Sequence, residues 1–513
     1  MIRAAELCKT GIRIFGNVGF DIVPYGLIFN MLLIQNGFSC EYEMNVMMRL
    51  FFDMKEDVRV YTDLIHENHK INAFCEITYR GDIYSSDYSY ECGEISEERL
   101  KKKLYSAACA RSFCGAAKKI RNVSLPWGVM SGVRPAKAVT SLVNEGLSYD
   151  EAKAFIASVY GVTKEKCDLA AAVSKNERKL LEKIRDKSVS IYIGIPFCPS
   201  RCLYCSFVSS DIGISGKYMN DFVSLLCEEI KAAAGMLERL GLNIENIYIG
   251  GGTPTALDAQ KLSKLLSCIN ESFDLSGINE FTLEAGRPDT VTYEKLSAAK
   301  SFGVDRVSIN PQTTNDETLV RIGRKHDTKM FFDAFDTARK VGFKVINTDL
   351  IAGLPNESAA VFKKSIDDLV SLSPENITVH SMCVKRAAAL RFSENSLTEA
   401  EVMNEMLSYA QGALIQNGYS PYYMYRQKNI SGNLENVGYA KIGMESFYNV
   451  NIMEEAQTII ALGGGGTSKL VMDDRIERIF NFKDPAEYIR RFDDIIARKK
   501  QMEAILCEFY KRK

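Results

Sequence analysis

The stretch Gly194-Ile195-Pro196-Phe197-Cys198-Pro199-Ser200-Arg201-Cys202-Leu203-Tyr204-Cys205 sets the reading of this chain. It follows an apolar, strand-like run, Val189 to Ile195, and spaces its cysteines as Cys-x3-Cys-x2-Cys. Three thiolates on one short loop can hold three irons of a 4Fe–4S cube and leave the fourth iron without a protein ligand. A cluster that only carries electrons normally takes four cysteines. The missing fourth ligand therefore leaves a place for a small molecule. A structural zinc site is the plainer reading of clustered cysteines, but zinc usually takes four ligands. No fourth Cys or His lies nearby, since Cys227 falls in the apolar stripe of a helix.

With 513 residues the chain is too long for one core, and roughly two to four domains are expected. Apolar residues make up 46 % and the net charge is −1, so no polyanion or nucleic-acid binding is expected. Fourteen cysteines scattered over this length are not a disulfide scaffold. Cys109 and Cys114 read as small buried residues on a helix. No secretory signal is evident, and the apolar segment Phe20 to Ile34 is interrupted by Asp21, Pro24 and Asn30 and is too short to span a membrane. A cytoplasmic, reducing location is expected.

Four sections follow from the patterning. Residues 1–95 are mixed α+β: Ile71, Ala73, Cys75, Ile77 and Tyr79 alternate with polar neighbours, and a turn follows at Gly81-Asp82. Residues 96–187 are helical, with Leu100, Leu104 and Ala108 at helical spacing. Leu125-Pro126-Trp127-Gly128 and Gly132-Val133-Arg134-Pro135 break that section. Residues 188–395 repeat strand, loop and helix, with strands at 189–195, 246–250, 280–285, 304–309, 344–351 and 376–381. Apolar stripes mark helices between them, at Phe222, Leu225, Leu226 and Ile230 and at Phe362, Ile366, Leu369 and Val370. Six such units imply an α/β parallel sheet, curled into a partial barrel or open and doubly wound. In either form chemistry belongs at the carboxyl ends of the strands. Residues 396–513 are a further, mostly helical section interrupted by Gly463 to Gly466.

The second signal is Gly250-Gly251-Gly252-Thr253-Pro254, directly after the second strand. Glycines let backbone groups approach a ligand closely, here the amino group of an amino-acid-like cofactor. By itself the run is a tight turn. Beside a three-cysteine loop it resembles the radical S-adenosylmethionine (radical SAM) superfamily. There the methionyl amine and carboxylate chelate the open iron, and an electron from the cluster cleaves the sulfonium to a 5′-deoxyadenosyl radical.

Further motifs occur in order: Tyr192-x-x-Ile195-Pro196-Phe197-Cys198, Gly250 to Thr255, Glu284, Arg306-Val307-Ser308 with Gln312, Gly323-Arg324-x-His326, and Asn347-x-Asp349-Leu350-Ile351-x-Gly353-Leu354-Pro355. Together they resemble the oxygen-independent coproporphyrinogen III oxidase family over roughly residues 190–470. The Leu-Pro-Trp-Gly and Gly-Val-Arg-Pro pair in a long N-terminal extension is similar to its HemZ-type branch. The resemblance implies a partial (β/α)6 barrel with Cys198, Cys202 and Cys205 as metal ligands. It implies cofactor contacts from Tyr192, Gly250, Gly251, Gly252, Thr253, Glu284, Gln312, Arg324, Asp349 and Ile351, with Tyr192 also catalytic. The carboxylates and Gln312 suit ribose hydroxyls or the methionyl amine, Arg324 the methionyl carboxylate and Ile351 the adenine. Solvated loop residues, a surface ion pair and core packing are the plain alternatives.

The implied cofactors are a 4Fe–4S cluster and one or two S-adenosyl-L-methionine molecules. The implied partners are a tetrapyrrole and an electron donor such as flavodoxin or ferredoxin. The implied reaction is oxidative decarboxylation of two propionates to vinyls in porphyrin and heme biosynthesis. His326 reads as structural and His380 as a candidate for the substrate chamber. Lys385, Arg386, Arg426 and Lys428 are cations suited to propionates by analogy. Two positions depart from the oxidase proper: Gly194 stands in place of a His, and Phe207 in place of a non-ligating Cys. The alternatives are a heme-binding chaperone of the same family and a heme-degrading, methyl-transferring relative. The chaperone's His-bearing motif is absent from Lys428 to Tyr439. Cys202→Ala is expected to abolish the cluster's visible absorbance after anaerobic reconstitution; iron and absorbance that survive unchanged would refute the ligand assignment.

Overall fold

The computed structural model describes residues 31–53, 55–95, 97–205, 210–383, 399–427, 433–473 and 475–511. Phe207, Lys385, Arg386 and Lys428 lie outside the described residues, as does the start of the apolar segment that begins at Phe20. The chain divides into two compact units, Met1–Ser131 with Asp150–Cys167, and Gly132–Tyr149 with Asp168–Lys513.

The smaller unit holds a four-stranded sheet in the order β1 (Met31–Asn36), β2 (Val58–Glu67), β3 (Lys70–Tyr79) and β4 (Asp82–Glu91). The alternation at Ile71 to Tyr79 puts those five side chains in the core, where they meet helices Glu41–Phe51 and Glu98–Ala117. Cys109 and Cys114 are buried on the second of these helices. Gly128 follows Trp127 with φ +52°, and a Cβ there would sit 1.9 Å from the Tyr160 carbonyl oxygen. That close approach is why this break needs glycine.

In the larger unit the Gly-Val-Arg-Pro break starts helix Pro135–Asn144, with Pro135 at its first position. Arg134 donates to the Met453 carbonyl at 2.8 Å and pairs with Glu455 at 3.2 Å. Then comes β5 (Ser188–Ile195). A short parallel pair, β6 (Phe197–Cys198) and β7 (Ser210–Asp211), flanks the cysteine loop. The rest of the series is β8 (Asn243–Gly251), β9 (Glu280–Glu284), β10 (Arg306–Ser308), β11 (Val345–Ala352) and β12 (Asn376–Ser381).

The six long-expected strands pair in parallel in chain order, β5-β8-β9-β10-β11-β12. Right-handed crossovers that never reverse direction place the crossover helices on one face. There is no switch point, so the sheet is singly wound, as a partial barrel requires, and not doubly wound. Most covering helices start on a capping side chain: Asp258, Thr292, Asn315, Asp327 and Ser358 each accept from a backbone amide three residues on.

Residue alternation gives the sheet two unlike faces. Ile191, Ile193, Ile247, Ile249, Phe281, Leu283, Val307, Leu350, Ile377 and Val379 are buried on one, the helix side. Tyr192, Tyr248, Glu284, Ser308, Asn347, Asp349, Thr378 and His380 alternate with them and share the other. A parallel sheet covered by helices on both faces reads as continuous apolar runs. Polar alternation here therefore marks an inner surface built for a ligand.

The section after residue 396 contributes helices and also strands. β13 (Tyr419–Arg426) and β14 (Glu435–Lys441) extend the β12 edge in antiparallel register. β15 (Ile459–Gly463) lies parallel to β5, and β16 (Thr467–Val471) and β17 (Ile476–Phe480) follow it. Among the described residues this makes one eleven-stranded sheet.

The β15 end is anchored by a buried carboxylate. Glu229, on helix Met219–Leu240, accepts from the Gly463 amide (2.8 Å), Tyr488 Oη (2.7 Å) and Asn481 Nδ2 (2.8 Å), and pairs with Lys499 Nζ at 2.7 Å. Lys499→Met leaves that carboxylate buried without its counter-charge. The expected cost is about 3–5 kcal/mol, seen as a lower unfolding midpoint; an unchanged midpoint would contradict it.

Candidate functional site

The site lies where the carboxyl ends of β5, β8, β9 and β11 meet the cysteine loop. The amides of Gly252 and Thr253 donate to the carbonyls of Ile195 and Phe197, both at 2.7 Å. Thr253 Oγ1 is 3.4 Å from Cys198 Sγ. A Cβ on Gly252 would fall 2.6 Å from the Phe197 carbonyl and 3.0 Å from that sulfur. The glycine run thus lets β8 touch the cysteine loop through bare backbone. These two amides serve the loop, so carbonyl oxygen is what remains to meet an ammonium group.

None of Cys198, Cys202 and Cys205 is in a disulfide, and Cys202 is buried. The Cys205 amide donates to the Cys202 carbonyl at 3.1 Å, and the Leu203 amide to the Ile322 carbonyl at 3.0 Å. Among the described residues no three His, Cys, Asp or Glu side chains converge where a single ion would sit. A cubane gives each thiolate its own iron, so the sulfurs need not share one centre. Three cysteines outside any disulfide on one braced loop, with the Arg287 guanidinium donating to Cys202 Sγ at 3.7 Å, fit such a cluster.

On the inner face Tyr192 stacks on Tyr248 and on Tyr448, with centroids 6.2 and 6.3 Å apart; Tyr248 and Tyr448 are 4.5 Å apart. The Tyr248 hydroxyl donates to Glu284 Oε1. Gly250 makes room for this pair, because a Cβ there would meet Glu284 Oε2 and Tyr248 Cε1 at 2.8 Å. Removal from water pushes the Glu284 carboxyl up to about 7; the Asp349 charge adds to this, and the Tyr248 hydrogen bond opposes it.

Asp349 accepts from Asn347 Nδ2 at 2.8 Å and faces His380 Nε2 at 3.6 Å. His380 Nδ1 is 3.4 Å from Tyr425 Oη. Gln312 is buried with φ +70°, left-handed for a residue with a side chain. Its amide donates to the Asp349 carbonyl and its carbonyl accepts from the Ile351 amide, both at 3.0 Å. This bridge holds Gln312, Asp349 and the buried Ile351 together at the β11 end.

Arg324 is buried and turned toward the cysteine loop. Nη2 and Nε donate to Tyr204 Oη at 3.1 and 3.3 Å, and Nη1 to the Gly286 carbonyl at 3.0 Å. His326 is buried with no partner on either ring nitrogen; burial, then the Arg324 charge, lower its value to about 3, so it is neutral. Arg426, expected among the propionate-binding cations, is buried and donates to the Asn433 carbonyl at 3.1 Å.

Gly194 and the glycine turn meet. The Gly464 amide donates to the Gly194 carbonyl at 2.9 Å, and a Cβ on Gly194 would lie 2.5 Å from the Gly464 carbonyl oxygen. A histidine does not fit at 194 while this turn packs there.

Sequence reasoning missed Tyr248, Tyr448 and Arg287, and quoted Asn347 only as part of a motif without a role. Tyr248 and Asn347 were legible from their strand phase, two residues before Gly250 and Asp349. Tyr448 comes from helix Phe447–Glu454, far along the chain, and no local pattern marks it.

The description "Radical SAM superfamily" matches residues 192–369. A Bacillus subtilis relative, "Oxygen-independent coproporphyrinogen-III oxidase-like protein HemZ", is 39 % identical over 379 residues, covering 72 % of this chain and 75 % of that one. The Bacillus subtilis "Heme chaperone HemW" is 32 % identical over 274 residues, covering 52 % and 68 %. The solved coproporphyrinogen III oxidase (HemN) of Escherichia coli shares the fold, with TM-score 0.50 and 22 % identity over 62 % of this chain and 71 % of that one.

Fold and site are those of a radical SAM protein. The chain belongs to the oxygen-independent coproporphyrinogen III oxidase family of that superfamily, on its HemZ-like branch. Membership implies a 4Fe–4S cluster and S-adenosyl-L-methionine.

The raised Glu284 value carries a pH signature. A folded value of about 7 against 4.5 unfolded means this stabilisation is full below pH 4.5 and is lost as pH rises through about 7. The cofactor-free parent is expected to lose more thermal stability than Glu284→Gln between about pH 5 and pH 8. Parallel curves would refute the assignment.

Proposed function

We propose that this chain is an oxygen-independent coproporphyrinogen III dehydrogenase, which oxidatively decarboxylates two propionates to vinyls. The observation that carries this reading is the polar, tyrosine-lined inner face beside the three-cysteine loop, in a chain 39 % identical to the HemZ relative. The cluster with S-adenosyl-L-methionine, when bound, supplies hydrogen-atom abstraction from the propionate β-carbon. Loss of carbon dioxide and one electron completes each vinyl.

The chain's own residues take these roles. Cys198, Cys202 and Cys205 hold the cluster. The Gly250–Thr253 turn, Glu284, Gln312, Asp349 and Ile351 seat the cofactor at successive strand ends. Arg324 serves the methionyl carboxylate through the Tyr204 side of the loop. The Tyr192–Tyr248–Tyr448 stack walls the reaction space from water, with Tyr192 nearest the loop along β5. His380, held between Asp349 and Tyr425, takes the role of proton-transfer group toward substrate on the inner face. One or two cofactor molecules are accommodated, and an electron donor such as flavodoxin or ferredoxin is the partner. The reading places the protein in the cytoplasm with no nucleic-acid partner. No helix among the described residues is long and apolar enough to cross a membrane.

One observation favours a second reading, the heme-binding chaperone. Gly194 replaces the oxidase's His and the Gly464 carbonyl closes that position, while a heme chaperone is 32 % identical to the chain. Anaerobic incubation of reconstituted protein with S-adenosyl-L-methionine, reductant, an electron acceptor and coproporphyrinogen III decides between them. Vinyl product with 5′-deoxyadenosine is expected. 5′-Deoxyadenosine without vinyl product removes the substrate assignment, and stoichiometric heme binding in the same preparation establishes the chaperone.

A further inference from the structure

We propose that Arg287 sets the reduction potential of the cluster held by Cys198, Cys202 and Cys205, with Asp289 as its opposing charge. The inference rests on the cluster reading of that loop and is independent of the substrate.

Arg287 follows Glu284 on the loop beyond β9, and it is 4 % exposed. Its Nη1 donates to Cys202 Sγ at 3.7 Å and to the Ser200 carbonyl at 3.2 Å. Nη2 donates to Ser200 Oγ at 3.2 Å. On the far side Asp289 takes Nε at 2.9 Å and Nη2 at 3.0 Å in a two-point clamp. The guanidinium is always charged. Its clamp fixes one nitrogen on a ligand sulfur, so a permanent buried cation sits beside one of the three thiolates.

Reduction adds one electron to the cluster. A cation at a ligand sulfur stabilises the more negative state more than the oxidised one, so it raises the potential; hydrogen bonds to cluster sulfurs act in the same direction. Asp289 stands on the other side of the guanidinium and subtracts from that field. Its side chain is 15 % exposed, so solvent screens it only in part. Arg324 reaches the Tyr204 hydroxyl and the Gly286 carbonyl, and His326 is neutral. Arg287 is thus a buried cation that donates directly to a ligand sulfur, Cys202 Sγ. A residue that only braced the loop through Ser200 would hold its shape and leave the potential unmoved.

The full chain, reconstituted anaerobically with iron and sulfide, is titrated stepwise with titanium(III) citrate without S-adenosyl-L-methionine. The reduced cluster is followed by electron paramagnetic resonance. Arg287→Met is expected to titrate at a more negative potential than the parent, with Arg287→Lys between them. Asp289→Asn is expected to titrate at a less negative potential, and Ser200→Ala with the parent. Equal midpoints, or shifts of Arg287→Met and Asp289→Asn in the same direction, overturn the proposal. If Arg287→Met takes up no iron, Asp289→Asn decides: an unmoved midpoint overturns it. A parent chain that takes up no cluster overturns the cluster reading itself, which iron and sulfide analysis shows before any titration.

Discussion

The contact on which this architecture depends is backbone against backbone: Gly463 and Gly464 lie on Gly194 with no side chain between. A Cβ on Gly463 would stand 2.4 Å from the Gly194 carbonyl oxygen, and one on Gly464 would stand 2.6 Å from Pro196. The approach lets β15 pair with β5 in register, Gly463 opposite Gly194, directly before the cysteine loop begins. Glu229 holds the turn there through the Gly463 amide, and Lys499 balances its charge. An anionic side chain without water is stable only when its oxygens are satisfied and its charge is paired, and Glu229 meets both conditions. Strand β5, the covering helix, the glycine turn and the C-terminal helix therefore form one rigid seat for the loop.

That seat explains the departure at position 194. The Gly464 carbonyl packs against Gly194, so no side chain stands at position 194, and the polar groups of the inner face come from other strands. Glu284 with Tyr248, and Asp349 with His380 and Tyr425, are the titratable groups brought together there. The strand order β5 to β12 puts their carboxylates on one surface, where enclosure, then the Asp349 charge, raise the Glu284 value.

Much of this was legible beforehand, for physical reasons. The six parallel strands were marked by apolar runs between turn residues, and their covering helices by stripes at helical spacing. The loop and glycine motifs are local in the chain, so spacing alone exposed them. The strands at 419–426, 435–441 and 459–480 were not announced. They pair as edges of a sheet whose other members lie far away in the chain, and edge pairing leaves a weak periodic signal. Arg287 went unremarked because one arginine on a loop reads as solvated until its burial is known.

The sequence by itself determined the chemistry available: three thiols at cluster spacing, glycines where backbone must approach, and carboxylates at strand ends. These are properties of residue type and spacing. The tertiary structure decided which groups meet. It turned Arg324 onto Tyr204 and Arg287 onto Cys202, brought Tyr448 onto the Tyr192–Tyr248 stack, and closed position 194 with Gly464. Such meetings join residues far apart in the chain, and their distances follow from how strands and helices pack, which no local pattern encodes.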